Sequence, residues 1–375
     1  MDFMLKLKKY LKLVSILILL IILIIFIFFY RKLDYFILKK INYPVSCDKV
    51  IPVWIDDLLP NFKKNGYKGV QLSYRDMSGQ KVNCSIGWAS LFPLRRLNNK
   101  DQMMYASLSK IFTSGLIIKA SKENKLSLSD SLLKRLELYH PVSNDLDKIE
   151  ISHLLEHTAG FDKDRSGDLV FTNPDLCPSH LSKILDLKLD YEPGTNFSYS
   201  NFGYCLLGEV IRKSYNRELG SIYEQYLFKP AGVKINHISD THGSVDYFYK
   251  NERPPDQSLM NKNFTAYGGF VGTASDFSEV VSSLLKDSYI KDQMMHYEKK
   301  CVMIEFYKCH GLAFYTYKED GKKLVYWRDG SLPGLSTFFI LFEDGSSLVL
   351  LANSRGKNPK QDHINLGKKI YRILQ

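Results

Sequence analysis

Residues 327–354 read WRDGSLPGLSTFFILFEDGSSLVLLANS. Two apolar runs, LSTFFILF and SSLVLLA, flank Asp344-Gly345, a dipeptide suited to a tight hairpin turn. KKLVYWRDG precedes them, and HGLAFYTYKED precedes that, with a second turn at Asp320-Gly321. The spacing predicts four consecutive strands. Far upstream, GVQLSYRD (69–76) and KVNCSIGWAS (81–90) form another strand pair around Ser78-Gly79. Helical patterns lie between the two sets: 104–121, a short helix carrying Leu132, Leu133 and Leu136, and 204–212. An amphipathic helix is expected at 360–374. These patterns predict an α/β fold of the α+β type. One antiparallel sheet, built from N- and C-terminal strands, is flanked by helices, with a helical subdomain inserted at about 120–265.

The chain has 375 residues and a formal net charge of +11. Residues 1–40 hold Lys6, Lys8, Lys9, Lys12, Arg31, Lys32, Lys39 and Lys40 against Asp2 and Asp34, and supply +6 of it. That excess fits a membrane surface rather than a nucleic-acid footprint, and no nucleic-acid partner is expected. Residues 13–30, LVSILILLIILIIFIFFY, contain no charge and are long enough to span a bilayer. The run exceeds a signal h-region, and no A-x-A-like cleavage site follows. The expectation is an uncleaved N-terminal anchor at 1–30, a linker at 31–50, and one domain at 51–375 on the outer side of the membrane. Flanking charges are nearly balanced; the size of the following domain decides the orientation.

Six cysteines (Cys47, Cys84, Cys177, Cys205, Cys301, Cys309) suit an oxidising compartment, or are six unrelated thiols. No CxxC pair occurs, so zinc ribbons and thioredoxin-like chemistry have no support.

Three stretches can carry chemistry. In YASLSKIFTSG (105–115), Ser107 and Lys110 are three apart and share a helix face. A serine hydroxyl becomes nucleophilic when a neighbouring base takes its proton, and a lysine of lowered pKa can be that base. S-x-x-K alone is weak: Ser46/Lys49, Ser78/Lys81, Ser131/Lys134 and Ser283/Lys286 match it too. In YEPGTNFSYSNFGYCLLGEVI (191–211), Tyr199 and Asn201 follow a Pro-Gly turn. The tyrosine suits proton relay, and the asparagine amide suits a substrate carbonyl. In WRDGSLPG (327–334), Gly330 permits close backbone approach, and Ser331 offers an N–H.

LLEHTAGF and YGGFVGTASDF join these stretches in order and spacing, and together the set resembles the serine β-lactamase and penicillin-binding-protein-like superfamily. The most similar branch is that of class C β-lactamase-like serine hydrolases, and the resemblance covers roughly residues 55–355. It implies Ser107 as acyl-forming nucleophile, Lys110 as proton acceptor and Tyr199 as proton shuttle. Asn201, Arg328, Asp329, Gly330 and Ser331 would bind substrate, with the N–H groups of Ser107 and Ser331 as oxyanion hole. No metal or organic cofactor is implied. The partner would be a small-molecule or peptide substrate, cell-wall peptides included.

Arg328-Asp329-Gly330 departs from the family's Lys-Thr-Gly or His-x-Gly. Two like charges about 4 Å apart cost roughly 4 kcal/mol at an effective dielectric of 20. Asp329 is therefore expected to repel carboxylate-bearing substrates and to favour an uncharged ester or amide over a β-lactam. Two other readings compete. HLLEH (153–157) matches H-x-x-E-H, a zinc-peptidase pattern, with Glu209 available as a third ligand. The altered third motif also permits an inactive binding or scaffold protein.

Overall fold

Phe338 and Phe339 are neighbours on one strand and face opposite sides of a sheet. Phe339 meets Phe277 of the Ala274–Leu285 helix edge-on, with ring centroids 5.6 Å apart. Phe338 lies against Gly367 of the Pro359–Ile373 helix, where an added Cβ would come within 2.8 Å of its ring. Both faces of the sheet are thus covered by helices, which explains why the strand Leu335–Phe342 is buried at every residue. The computed structural model describes residues 8–25, 43–91, 93–139, 145–249, 265–296, 305–307 and 309–375.

Among the described residues the main sheet has eight strands. β1 (Val45–Cys47), β3 (Lys81–Leu91), β2 (Gly69–Arg75), β11 (Ser347–Ala352), β10 (Leu335–Phe342), β9 (Val325–Leu332) and β8 (Tyr315–Tyr317) lie side by side in that order. β4 (Leu94–Arg96) pairs with β3, and every pairing is antiparallel. N- and C-terminal strands meet where β2 pairs with β11, as the sequence predicts. A small sheet joins β5 (Met103–Met104), β7 (Phe270–Gly272) and β6 (Asn236–His237). Between β3 and β8 the regular structure of the described residues is mainly helical, centred on the buried Ser109–Lys122 helix.

Several elements differ from expectation. The helix expected from 104 begins at Ser109, because Met103 and Met104 pair with β7 and Ala106 takes a left-handed φ of 48°. The strand expected at 310–320 shrinks to β8, because the Gly311 N–H turns back to the Phe314 carbonyl at 2.9 Å. β8 therefore pairs only with Val325–Trp327, and no described strand covers the outer edge of β9 beyond Trp327. Asn201 lies in the first turn of the Asn201–Tyr215 helix rather than in a loop, with Ser200 as its cap.

The chain divides into two units, residues 1–44 and 45–375. The larger starts at Val45 rather than 51, because β1 pairs with β3 and Cys47 is bonded to Cys84. Cys177 is bonded to Cys205, and Cys309 is disulfide-bonded as well. In the smaller unit, residues 8–25 form a helix with exposed apolar side chains. Among the described residues no helix is long and apolar enough to cross a membrane. The span expected at 13–30 extends past residue 25, and residues 26–30 lie outside the described residues.

Candidate active site

Ser107 sits on a short 3-10 turn, Ala106–Leu108, which leads directly into the Ser109–Lys122 helix. The turn is pinned from several directions. The Tyr105 N–H donates to the Phe270 carbonyl at 2.9 Å, and the Tyr105 hydroxyl to the Thr273 carbonyl at 2.9 Å. The Thr337 hydroxyl of β10 donates to the Tyr105 carbonyl at 3.0 Å. Those anchors hold Ala106 in a left-handed conformation that an alanine rarely adopts. Gly330 of β9 completes the clamp: a Cβ there would lie 2.4 Å from Thr337 Oγ1 and 2.8 Å from the Ser107 nitrogen. Glycine lets the strand reach the turn.

One helical turn on, Lys110 is wholly buried. Its Nζ lies 3.1 Å from Ser107 Oγ, 2.7 Å from Asn201 Oδ1 and 2.7 Å from the Tyr267 carbonyl. Burial, reinforced by the nearby Arg328 charge, holds its pKa well below the ordinary lysine value. The Tyr199 hydroxyl donates to Ser107 Oγ at 2.8 Å. Burial pushes the Tyr199 phenol up to about 12, although Arg328 and the bond to Ser107 pull it down.

Burial favours the neutral amine, and the bonding pattern accommodates it. A neutral amine has two N–H donors and one lone pair. Asn201 Oδ1 and the Tyr267 carbonyl are acceptors only, so they use both donors. The lone pair is then left for the Ser107 hydroxyl proton. Ser107 Oγ in turn accepts from Tyr199, so every proton in the network has a place.

Strand register separates the third motif. Arg328 is paired with Phe339, and Asp329 with Phe338, so the two side chains follow those phenylalanines to opposite faces. Arg328 goes inward and is wholly buried. Its Nη1 donates to the Ala313 carbonyl at 2.8 Å and lies 3.1 Å from His310 Nε2; Nη2 lies 3.2 Å from His157 Nε2. Arg328 therefore does not line the cleft, which corrects its assignment as a substrate contact. Its charge acts on Tyr199 and Lys110 instead.

Asp329 does line the cleft, beside Ser107, Tyr199, Asn201, Gly330 and Ser331. The open space there is about 620 Å³. Its Oδ2 accepts from the Tyr307 hydroxyl at 2.6 Å and from His363 Nδ1 at 2.6 Å. Burial raises this carboxyl's pKa, but the bonds and charge of His363, the Tyr307 hydroxyl and Arg328 outweigh it and leave the group ionised below its usual range. The carboxylate is thus hydrogen-bonded inside the protein, and Lys163, Arg355 and Lys360 line the same cleft. These cations oppose the repulsion of carboxylate substrates expected from Asp329. Ser331 Oγ accepts from Arg355 Nη1 at 2.9 Å.

The HLLEH pattern is pulled apart. The helix ends at Leu155, and His157 takes a left-handed φ of 60°, so the two histidines do not share a helix face. His153 Nδ1 accepts from the Glu150 N–H at 3.2 Å, while the His157 ring packs against Tyr199 and Arg328. Burial, then neighbouring His310 and Arg328, keep the His157 pKa well below the imidazole range. Among the described residues no group of three or more His, Cys, Asp or Glu could hold a metal ion.

The sequence reading missed Asp168, Tyr307, His363 and the Tyr267 carbonyl. Asp168 Oδ2 accepts from Asn201 Nδ2 at 2.6 Å. Of these only Tyr267 falls in a motif, YGGF; a lone Gly-Asp before LVFT and a histidine in an amphipathic helix carry no signal of their own.

The Beta-lactamase family model matches residues 55–369. Over 308 residues the chain is 31% identical to FimD of Dichelobacter nodosus serogroup D, a protein named for fimbrial assembly; the match covers 79% of this chain and 77% of that one. A class C beta-lactamase of solved structure is similar with a TM-score of 0.68, at 19% identity, over 86% of this chain and 95% of that one. D-alanine carboxypeptidase AmpC from Burkholderia cenocepacia gives a TM-score of 0.66, also at 19% identity, over 85% and 96%. At these identities the two structures show the shared fold. The match runs from the Trp54–Asn65 helix into the Pro359–Ile373 helix, and the chain belongs to the beta-lactamase family.

Proposed function

We propose that the protein is a serine hydrolase that cleaves an ester or amide through an acyl-enzyme. The observation that carries this reading is the closed network of Ser107, Lys110 and Tyr199, in which a buried lysine of lowered pKa and a tyrosine hydroxyl both lie within hydrogen-bond distance of one serine hydroxyl. Ser107 Oγ attacks the carbonyl carbon as its proton passes to Lys110 Nζ. The oxyanion is held by the backbone N–H groups of Ser107 and Ser331. Tyr199, a phenol at neutral pH, hands a proton to the leaving group and is refilled from Lys110. Water then frees the acyl group with the same residues acting in reverse. Asn201 holds Lys110 by its Oδ1.

Small esters and peptides, including those ending in a D-amino acid, fit this chemistry. The fold shared with a D-alanine carboxypeptidase supports the peptides, and so do the cations at the cleft. The test uses a fluorescent fluorophosphonate and a fluorescent penicillin, with the labelled peptide mapped by mass spectrometry. Fluorophosphonate on Ser107 is the expected result. Penicillin on Ser107 as well assigns carboxylate-bearing peptides; fluorophosphonate alone assigns neutral esters or amides. Absence of both labels sinks the reading.

The same proposal holds the domain outside a membrane through the uncharged 13–30 run. Disulfides persist in oxidising compartments, and the bonded Cys47–Cys84 and Cys177–Cys205 pairs support that side. The full chain is expected in the membrane fraction after a carbonate wash, while a chain starting at Tyr43 is released; retention of the short chain would overturn the anchor.

A further inference from the structure

The Asn201 side chain has an orientation that its carbon skeleton does not determine. The oxygen and nitrogen ends of an amide are nearly the same size, and a half turn exchanges them. Which end faces Lys110 matters. With Oδ1 towards it, at 2.7 Å, the amine donates and keeps its lone pair for Ser107. With the NH2 end towards it, the amine would have to accept, and the lone pair would be taken from Ser107.

Asp168 decides between the two. Its Oδ2 lies 2.6 Å from Asn201 Nδ2; burial raises this carboxyl's pKa while the bond to Asn201 and the Lys110 charge pull it down, and the ionised form accepts only, so it tolerates the NH2 end alone. The backbone that carries it is held in place. Gly167 reverses the chain with a φ of 77°, and the Asp168 carbonyl accepts the N–H groups of Phe171 at 2.8 Å and Thr172 at 2.9 Å.

We infer that Asp168 is a positioning residue, whose carboxylate sets the amide orientation of Asn201 and thereby keeps the Lys110 lone pair on Ser107. The inference rests on the acyl-enzyme reading proposed above. Asp168 reaches the reacting atoms only through Asn201. The charged groups acting on Lys110 are Arg328 and Lys163, which lower its pKa, and Asp168 and Asp329, which raise it. The rings of Tyr199, Tyr204 and Tyr267 lie around its Nζ.

The experiment measures the second-order rate of fluorophosphonate labelling against pH, with melting temperatures alongside, in the full chain. Asp168→Asn replaces an acceptor by a group that satisfies either end of Asn201. The labelling rate is expected to fall about 10- to 100-fold. The acid limb of the profile moves to lower pH, because a negative charge that favours protonated Lys110 is gone. Asp168→Glu, which keeps the carboxylate, is expected to recover part of the rate and the wild-type limb. A lower melting temperature with rate and limb unchanged would make Asp168 a purely structural residue and overturn the inference. Should Asp168→Asn fail to fold, Asp168→Ala and Asp168→Glu carry the test: Glu faster than Ala supports it, and equal rates overturn it. An unlabelled wild type removes the acyl-enzyme reading and this inference together; a labelled wild type with an unaffected Asp168→Asn removes only the latter.

Discussion

Ser107→Ala is expected to lower turnover of an activated ester by about 10^6-fold and to abolish fluorophosphonate labelling. Losses of this order follow when the nucleophile is removed from a set of groups that act as a unit. The size of the effect comes from the network. Ser107 Oγ is the atom on which both Lys110, at 3.1 Å, and Tyr199, at 2.8 Å, converge. Without it, neither group has a proton to move. The fold should tolerate the change, since alanine occupies less space at a partly exposed position and the turn is held by Tyr105 and Thr337 rather than by the serine hydroxyl. A melting temperature within a few degrees of wild type, measured with the turnover, separates lost chemistry from lost folding. A Ser107→Ala protein with turnover near wild type would end the proposal.

Lys110→Met is expected to cost about 10^3- to 10^4-fold in the acylation rate, at the upper end of what a positioned base contributes. Methionine fills a similar volume without a base or donors. The wild-type rate should rise with pH as Lys110 loses its proton, along a limb that lies below the ordinary lysine value of 10.5 because burial and Arg328 disfavour the charged amine. The variant should show no such limb. Stability carries a matching signature. Between the lowered native pKa and 10.5, the unfolded chain binds one more proton than the native one at this site, so the native state gains stability as pH rises. The stability of wild type minus that of Lys110→Met should therefore increase with pH and level off near 10.5. Denaturant titrations at several pH values read this difference. A flat difference, or a rate limb retained by the methionine variant, would show that Lys110 is not the base.

The legible part of the fold was local. Asp344-Gly345 between two apolar runs forms the β10–β11 hairpin, and Gly79 turns β2 into β3. The four strands of these hairpins form the core of the sheet, because alternating and apolar runs commit a segment to a pleated, buried environment wherever it ends up. Register was less legible. One place of alternation separates Arg328 from Asp329, and that much is visible in the sequence. Which helix covers which face is not, and so the motif alone suggests a substrate contact for Arg328, which lies buried against His157 and His310. The HLLEH pattern misled for a related reason. Its i, i+4 spacing means one helix face only if the helix continues, and this one stops at Leu155.

The sequence by itself determined which reactive groups exist and which local geometry joins the nearest of them. Ser107 and Lys110 are brought together by helical pitch, and the Tyr199-Ser200-Asn201 step by the cap of one helix. The tertiary structure alone decided what those groups can do. The Lys110 pKa is held down by burial among Arg328, Tyr204 and Tyr267, residues 94 to 218 positions away in the chain. Asn201 is turned by Asp168 from another segment, and the Asp329 carboxylate is hydrogen-bonded by His363 from the last helix. Protonation, amide orientation and charge balance depend on what surrounds an atom within a few ångströms, and in this fold those neighbours come from elements that the chain order leaves far apart.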